Sequence, residues 1–159
     1  MMTASKLQTV LVKDILEIFK GDLFKDSSGE YVPLNVFEQY LPIRKDEEET
    51  DPVPYVIIRI EEGSVKGWTD AQEVKVMLIL GCFDDDINNQ GYKTILGMIQ
   101  KIEHRYLKDP MLANQFVFLN DEQNGFEWAM QDEESFPYYF GAISIKFKTA
   151  AVRKEDKYA

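Results

Sequence analysis

With 159 residues, 45% of them hydrophobic and 13% aromatic, the chain has the material for one domain with a real core and is too apolar for a disordered segment. A net charge of -10 would repel a phosphate backbone unless a local basic patch overrode it, and no such patch is visible in the sequence. One cysteine, Cys82, and one histidine, His104, exclude an intramolecular disulfide, a cysteine-built zinc cluster and the usual multi-histidine metal sites, and leave His104 alone for Ser-His-Asp or Cys-His catalysis.

Residues 1–20 hold no signal-peptide core, because Lys6, Lys13, Asp14 and Glu17 interrupt the apolar positions. No window approaches the ~20 apolar residues that cross a bilayer, so the expectation is a soluble chain made in a reducing cytoplasm, with no membrane partner. Ser5 and Gln8 fit a capping box, and Leu7, Val10, Leu11, Ile15, Ile18 and Phe19 then recur at helical spacing as far as Gly21. This predicts a first helix over 5–20. In 22–44, Ser27-Ser28-Gly29 marks a turn, while Pro33 and Pro42 forbid a long regular element. Val36, Phe37, Tyr40 and Leu41 read either as one docked helical turn or as an extended arm with apolar anchors. The acidic run 46–49 repels itself, which predicts a mobile solvated loop over 45–52.

Pro54 opens a β-branched run, 55–60, bounded by Glu61-Glu62-Gly63. A loop through Gly67 and Trp68 leads to a long strand over 73–83. Val74, Val76, Leu78, Leu80 and Cys82 share one of its faces; Lys75, Met77, Ile79, Gly81 and Phe83 share the other. Its second half is apolar on both sides, so that end needs cover on both faces, and a surface outside the protomer can supply the second cover. Asn88 or Asn89 can cap a second helix, whose stripe runs through Tyr92, Ile95, Leu96, Ile99, Ile102 and Tyr106 until Asp109-Pro110 stops it. Short strands are expected at 116–119 and 126–130, with a tight turn at Asn124-Gly125 between them. A last strand over 142–148 has a dry face, Ile143, Ile145 and Phe147, and a wet one, Ser144, Lys146 and Lys148; a charged, frayed tail, 153–159, follows. The order predicts a single α+β domain, a mostly antiparallel β-sheet with two main α-helices packed on one face.

Little in the chain points to chemistry. Asp70, Glu73 and Lys75 have the residue types of a metal-dependent nuclease, in which acids hold magnesium and a lysine steadies the attacking water, but alternation alone puts Glu73 and Lys75 on one strand face. Asp84-Asp85-Asp86 lacks the spacing of a calcium loop and is expected to sit near the positive end of the second helix. His104 reads as a helix-flank surface residue and Cys82 as a small buried hydrophobe. A small-molecule module would need a pocket with convergent polar groups, for which the sequence offers only its aromatics. Among those, Trp68, Phe83, Tyr138 and Tyr139 are the candidates for an oligomer or partner interface, since large aromatics concentrate at contact hot spots.

Three segments in order carry a family resemblance: Pro54-Tyr55-Val56-Ile57-Ile58-Arg59 with Glu61-Glu62-Gly63; Glu73-Val74-Lys75-Val76 through Leu80-Gly81-Cys82-Phe83-Asp84-Asp85-Asp86 to Gln90-Gly91-Tyr92; and Trp128 with Pro137-Tyr138-Tyr139-Phe140-Gly141. Together they resemble the tail terminator (tail completion, head-tail joining) proteins of long-tailed bacteriophages and prophages, over residues 1–152. The resemblance implies an α+β protomer that forms a hexameric ring, caps the tail tube, ends its polymerisation and offers a surface for joining the head. It implies a structural protein rather than an enzyme, with no catalytic, cofactor or metal residues. Its partners would be further copies of itself, the tube protein and the head-tail connector, with DNA passing unbound, and its place the virion tail after assembly in the host cytoplasm. Residues 22–44 and 46–49 carry least of the family pattern. Other neck, head-closure or tube proteins have similar protomers and are the nearest alternative.

Overall fold

The computed structural model describes residues 3–46, 51–68 and 71–149. Two helices lie on one face of a seven-stranded sheet, the α+β architecture expected. The tail 153–159 and residues 47–50 of the acidic loop lie outside the described residues. Among the described residues no helix is long and apolar enough to cross a membrane.

The first helix, α1 (Ala4–Ile18), buries Leu7, Val10, Leu11 and Ile15. Its cap is Thr3, whose hydroxyl accepts the Lys6 N–H at 3.1 Å, so the expected Ser5–Gln8 box does not form. Ser5 already stands in the first turn, and Gln8 serves the sheet instead, donating to the Ile58 carbonyl at 2.8 Å and to Gln39 Oε1 at 3.0 Å. The second helix, α2 (Tyr92–Lys108), buries Ile95, Met98, Ile99, Ile102 and Tyr106. Tyr92, expected to open this stripe, is 39% exposed. The helix entrance is occupied by Tyr139, whose ring fills the space where Gly91 would carry a Cβ. Gly91 itself holds the cap position with no side-chain bond, in place of the expected asparagine.

The sheet is built around β5 (Glu73–Phe83), flanked along its length by β4 (Tyr55–Ser64) and β9 (Tyr138–Thr149), both antiparallel. Both flanking strands outrun their predicted limits. Glu61 is absorbed as a bulge between the Ile60 and Glu62 pairings, so β4 continues through the charged residues expected to end it. In β9, Tyr138, Tyr139 and Phe140 are ladder residues opposite Phe83, Cys82 and Gly81. On the far side of β9, β7 (Phe116–Phe118) and β8 (Glu127–Met130) occupy successive stretches of the same edge, and β6 (Met111–Leu112) pairs with β7. The turn before β8 is organised by the Asp121 carboxylate, which accepts the N–H groups of Gln123 and Asn124 at 2.8 and 2.9 Å. It joins two strands that each pair with β9.

Residues 35–41 take the extended form of the two anticipated: β3 (Asn35–Glu38) runs parallel to β4 at the sheet edge. Beyond it, Gln39 adopts φ 69° and uses its side chain as one more rung, accepting the Ile60 N–H at 3.0 Å and donating to the Ile60 carbonyl at 2.9 Å. These bonds hold a residue type that rarely takes a left-handed backbone. Before this arm, β1 (Phe24–Lys25) and β2 (Tyr31–Val32) form a small hairpin around Asp26, which accepts from the Ser28 and Glu30 amides, with Gly29 at φ 87°.

The core lies between helices and sheet. Val74, Val76, Leu78 and Leu80 of β5 are fully buried and Cys82 is 1% exposed, as the alternation predicts. Gly141 lets α2 approach β9, since a Cβ there would meet Ile95 at 2.7 Å. The two helices are tied by a half-buried polar group. Asp14 of α1 accepts the Tyr106 hydroxyl at 2.7 Å and pairs with Arg105 at 3.3 Å, both from α2. Burial, then the Asp14 charge, pushes the Tyr106 hydroxyl pKa well up. We expect Tyr106→Phe to cost about 1 kcal/mol and Asp14→Ala about 2 kcal/mol, the latter stripping the buried Tyr106 hydroxyl of its acceptor while Arg105 keeps the Asp109 and Met111 carbonyls, measured by urea unfolding.

Candidate functional site

The face of the sheet turned away from the helices is divided by sequence. Towards the β4–β5 hairpin it carries Glu73, Lys75, Ser144, Lys146 and Lys148 in register. Towards the other end it becomes apolar: Val53, Tyr55 and Ile57 are buried, with Phe37, Leu41, Ile79, Phe83, Tyr138 and Phe140 packed around them and partly exposed. This second cluster is the cover that the doubly apolar half of β5 demands. Tyr55 lies flat over Gly81, where a Cβ would come within 2.5 Å of its ring, and it meets Phe37 edge-on at 6.4 Å. Phe83 and Tyr138, cross-strand partners, meet edge-on at 5.5 Å.

The chain's own arm covers the β4 side of this cluster through Phe37 and Leu41. On the β5–β9 side Phe83, Tyr138 and Phe140 stay half-buried. Close by, the arm exposes Tyr40 at 69% and Ile43 at 93%. Arg59 lies 5.3 Å from the Tyr40 ring and donates to the Gln39 carbonyl, which fixes the arm's course.

The four aromatic contact candidates therefore part company. Phe83 and Tyr138 lie together on the half-covered face. Trp68 stands apart in the β4–β5 connection, 86% exposed. Tyr139 is a correction: strand alternation turns it to the helix face, where it is 5% exposed, opposite Cys82, with its hydroxyl bonded to Asn89. It is a core residue and offers nothing to a partner. Phe37 and Leu41, the expected apolar anchors of the arm, belong to the surface cluster with Phe140, and so do Tyr55 and Ile57, which the sequence places only in a buried strand. The signal was present in the alternation of residues 55 and 57 with 79, 81 and 83, but only the strand register aligns it.

The candidates for chemistry are dispersed or engaged. Lys75 is ion-paired with Glu61 at 3.4 Å, and Asp70 lies outside the described residues. No three His, Cys, Asp or Glu side chains gather as a metal site among the described residues. The carboxylates of Asp84 and Asp85 face Lys25 at 3.7 and 3.4 Å, so a lysine from the small hairpin meets their charge. His104 is exposed, as expected. Cys82 is buried, and burial pushes its thiol up to about 12, away from thiolate chemistry. Two grooves, one along Phe19, Leu23 and Met98 and one along Val32, Pro33 and Val53, hold polar groups already bonded to each other: Asp22 with Lys101, and Asn35 with the Pro52 carbonyl.

Two outcomes test this packing. Gly81→Val, which drives a side chain into the Tyr55 ring, should lower stability by about 1–3 kcal/mol in urea unfolding. Burial also pushes the Tyr55 hydroxyl up to about 12, alongside the raised Tyr106. Below about pH 10 neither state of these tyrosines ionises and they contribute no pH dependence. Above it the unfolded chain loses protons that the folded chain keeps, so stability should fall as pH rises from about 10 towards 12, measured by unfolding at successive pH values.

Compared with known proteins, the chain matches no family model and no curated sequence.

Proposed function

We propose that this chain is a ring-forming structural protein of a bacteriophage or prophage tail, a tail terminator that caps the tube, ends its polymerisation and presents the head-joining surface. The observation that carries the reading is the second apolar face: Phe83, Tyr138 and Phe140 are gathered by the ladder and left half-covered by their own chain. Such a surface is built for a neighbour. The α+β architecture with both helices on one face agrees with the family resemblance of the segments at 54–63, 73–92 and 128–141. Contacts between unlike surfaces of identical copies close into a ring when the rotation permits. The acidity of the chain suits a channel through which DNA slides without sticking.

The purified protein should form rings in a concentration-dependent manner, alone or on tail-tube ends, as seen by light scattering and negative-stain electron microscopy. A phage lacking it should accumulate overlong tails. Full heads that leak DNA would instead identify a head-closure or neck protein. A strictly monomeric chain that also ignores tube ends would overturn the reading.

A further inference from the structure

We propose that the hairpin tip bearing Trp68 in one copy docks on the half-covered aromatic end of the outer sheet face in the next copy, making a head-to-tail contact between identical chains. The proposal deepens the ring-forming reading and rests on it for its role in a tail.

The two surfaces sit at opposite ends of one strand. β5 has eleven residues, so its ends are roughly 35 Å apart, and one copy cannot bring its own tip to its own patch. At the tip, Trp68 is 86% and Val65 59% exposed. A tryptophan so exposed is barely packed against the described residues, and it is the residue type that most often dominates a contact. At the other end, Phe83, Tyr138 and Phe140 stay half-buried, and Ile87 in the adjoining loop is 90% exposed.

The charges complement each other as well. Lys66 stands between Val65 and Trp68, and Lys148 lines the same depression as Lys66, with Glu73 the one acid there among the described residues. The strand ends that carry Phe83 and Tyr138 lead straight into two acidic loops, 84–86 and 132–134, joined by the Asp84 N–H to the Pro137 carbonyl at 2.9 Å and by Asn89 to Glu134 at 2.8 Å. Lys25 meets two of those six acids and leaves the loops strongly negative. An apolar knob flanked by Lys66 and Lys148 thus faces an aromatic seat beside two acidic loops, and charges so placed steer docking and fix its register. Because knob and seat are different surfaces, the contact is heterologous and each copy keeps one of each free until a ring closes.

Mixing two variants tests the contact by sedimentation velocity at a concentration where the wild-type chain self-associates. Trp68→Ala spoils the knob alone and Tyr138→Asp spoils the seat alone; each should raise the apparent dissociation constant tenfold or more and run as a monomer. An equimolar mixture should form dimers and nothing larger, since only one productive knob-seat pairing exists. Circular dichroism checks folding, and if Tyr138→Asp fails to fold, the exposed loop variant Glu133→Lys takes its place in the mixture with Trp68→Ala. Either variant assembling like the wild type, or a mixture that stays monomeric, overturns the proposal. Rings that persist with Trp68→Ala would overturn this contact while leaving the ring-forming reading intact, whereas a wild-type chain that never assembles, alone or on tube ends, would overturn both.

Discussion

Everything in this fold hangs on a central strand that is apolar on both faces along half its length. β5 pairs residue for residue with β9 over eleven positions and with β4 over nearly as many, so its backbone groups are satisfied on both edges. Its side chains then have to be covered twice. α1 and α2 cover Val74 to Cys82 on one side; on the other, Ile79, Gly81 and Phe83 need a second layer, and no described helix supplies it. The arm around Phe37 and Leu41 is the local answer. It supplies a thin, partial layer, anchored because β3 adds to the β4 edge and Gln39 extends the ladder with its side chain.

That partial cover connects packing to function. Had the second face been polar, the protomer would be an ordinary two-layer domain with a wet outer surface, as it is around Lys75, Lys146 and Lys148. Had it been fully covered, nothing would remain for a neighbour. The intermediate condition, aromatic and half-exposed, has the character of a protein interface core, where area is covered at low entropic cost. The helices meanwhile are locked to each other by the Asp14, Arg105 and Tyr106 group and to the sheet by Gln8. That side of the molecule is tied together, while the outer sheet face with its arm carries the half-exposed aromatics on which the proposed contact rests.

The parts of the sequence that predicted well are those in which one periodicity dominates. The stripe of α1, the body of the α2 stripe from Ile95 to Tyr106, and the alternation of β5 and of residues 143–147 are each set by a single buried face. The hydrophobic effect writes such a face at 3.6 or 2 residues per repeat. Sequence and structure differ at the margins of elements, where local chemistry competes with tertiary pairing. Glu61-Glu62-Gly63 reads as a strand end, yet β4 continues there because β5 offers a partner and a bulge absorbs the extra residue. Tyr92 fits the helical period, yet the position next to it is taken by Tyr139 from a strand 47 residues away in sequence, and no local pattern encodes that.

The candidate surface divides along the same line. Composition and alternation are local properties, and they suffice to show that the second half of β5 is apolar on both faces, that the chain is acidic, and that Trp68, Phe83 and Tyr138 are large aromatics needing a surface to cover or be covered by. Only the tertiary structure decided that Tyr139 belongs to the core while its neighbours do not, that Tyr55 and Ile57 join the outer cluster, and that the arm covers one half of it and leaves the other. Those choices follow from strand register: a shift of one residue reverses every side chain's face, and register is settled by long-range pairing that no single segment carries.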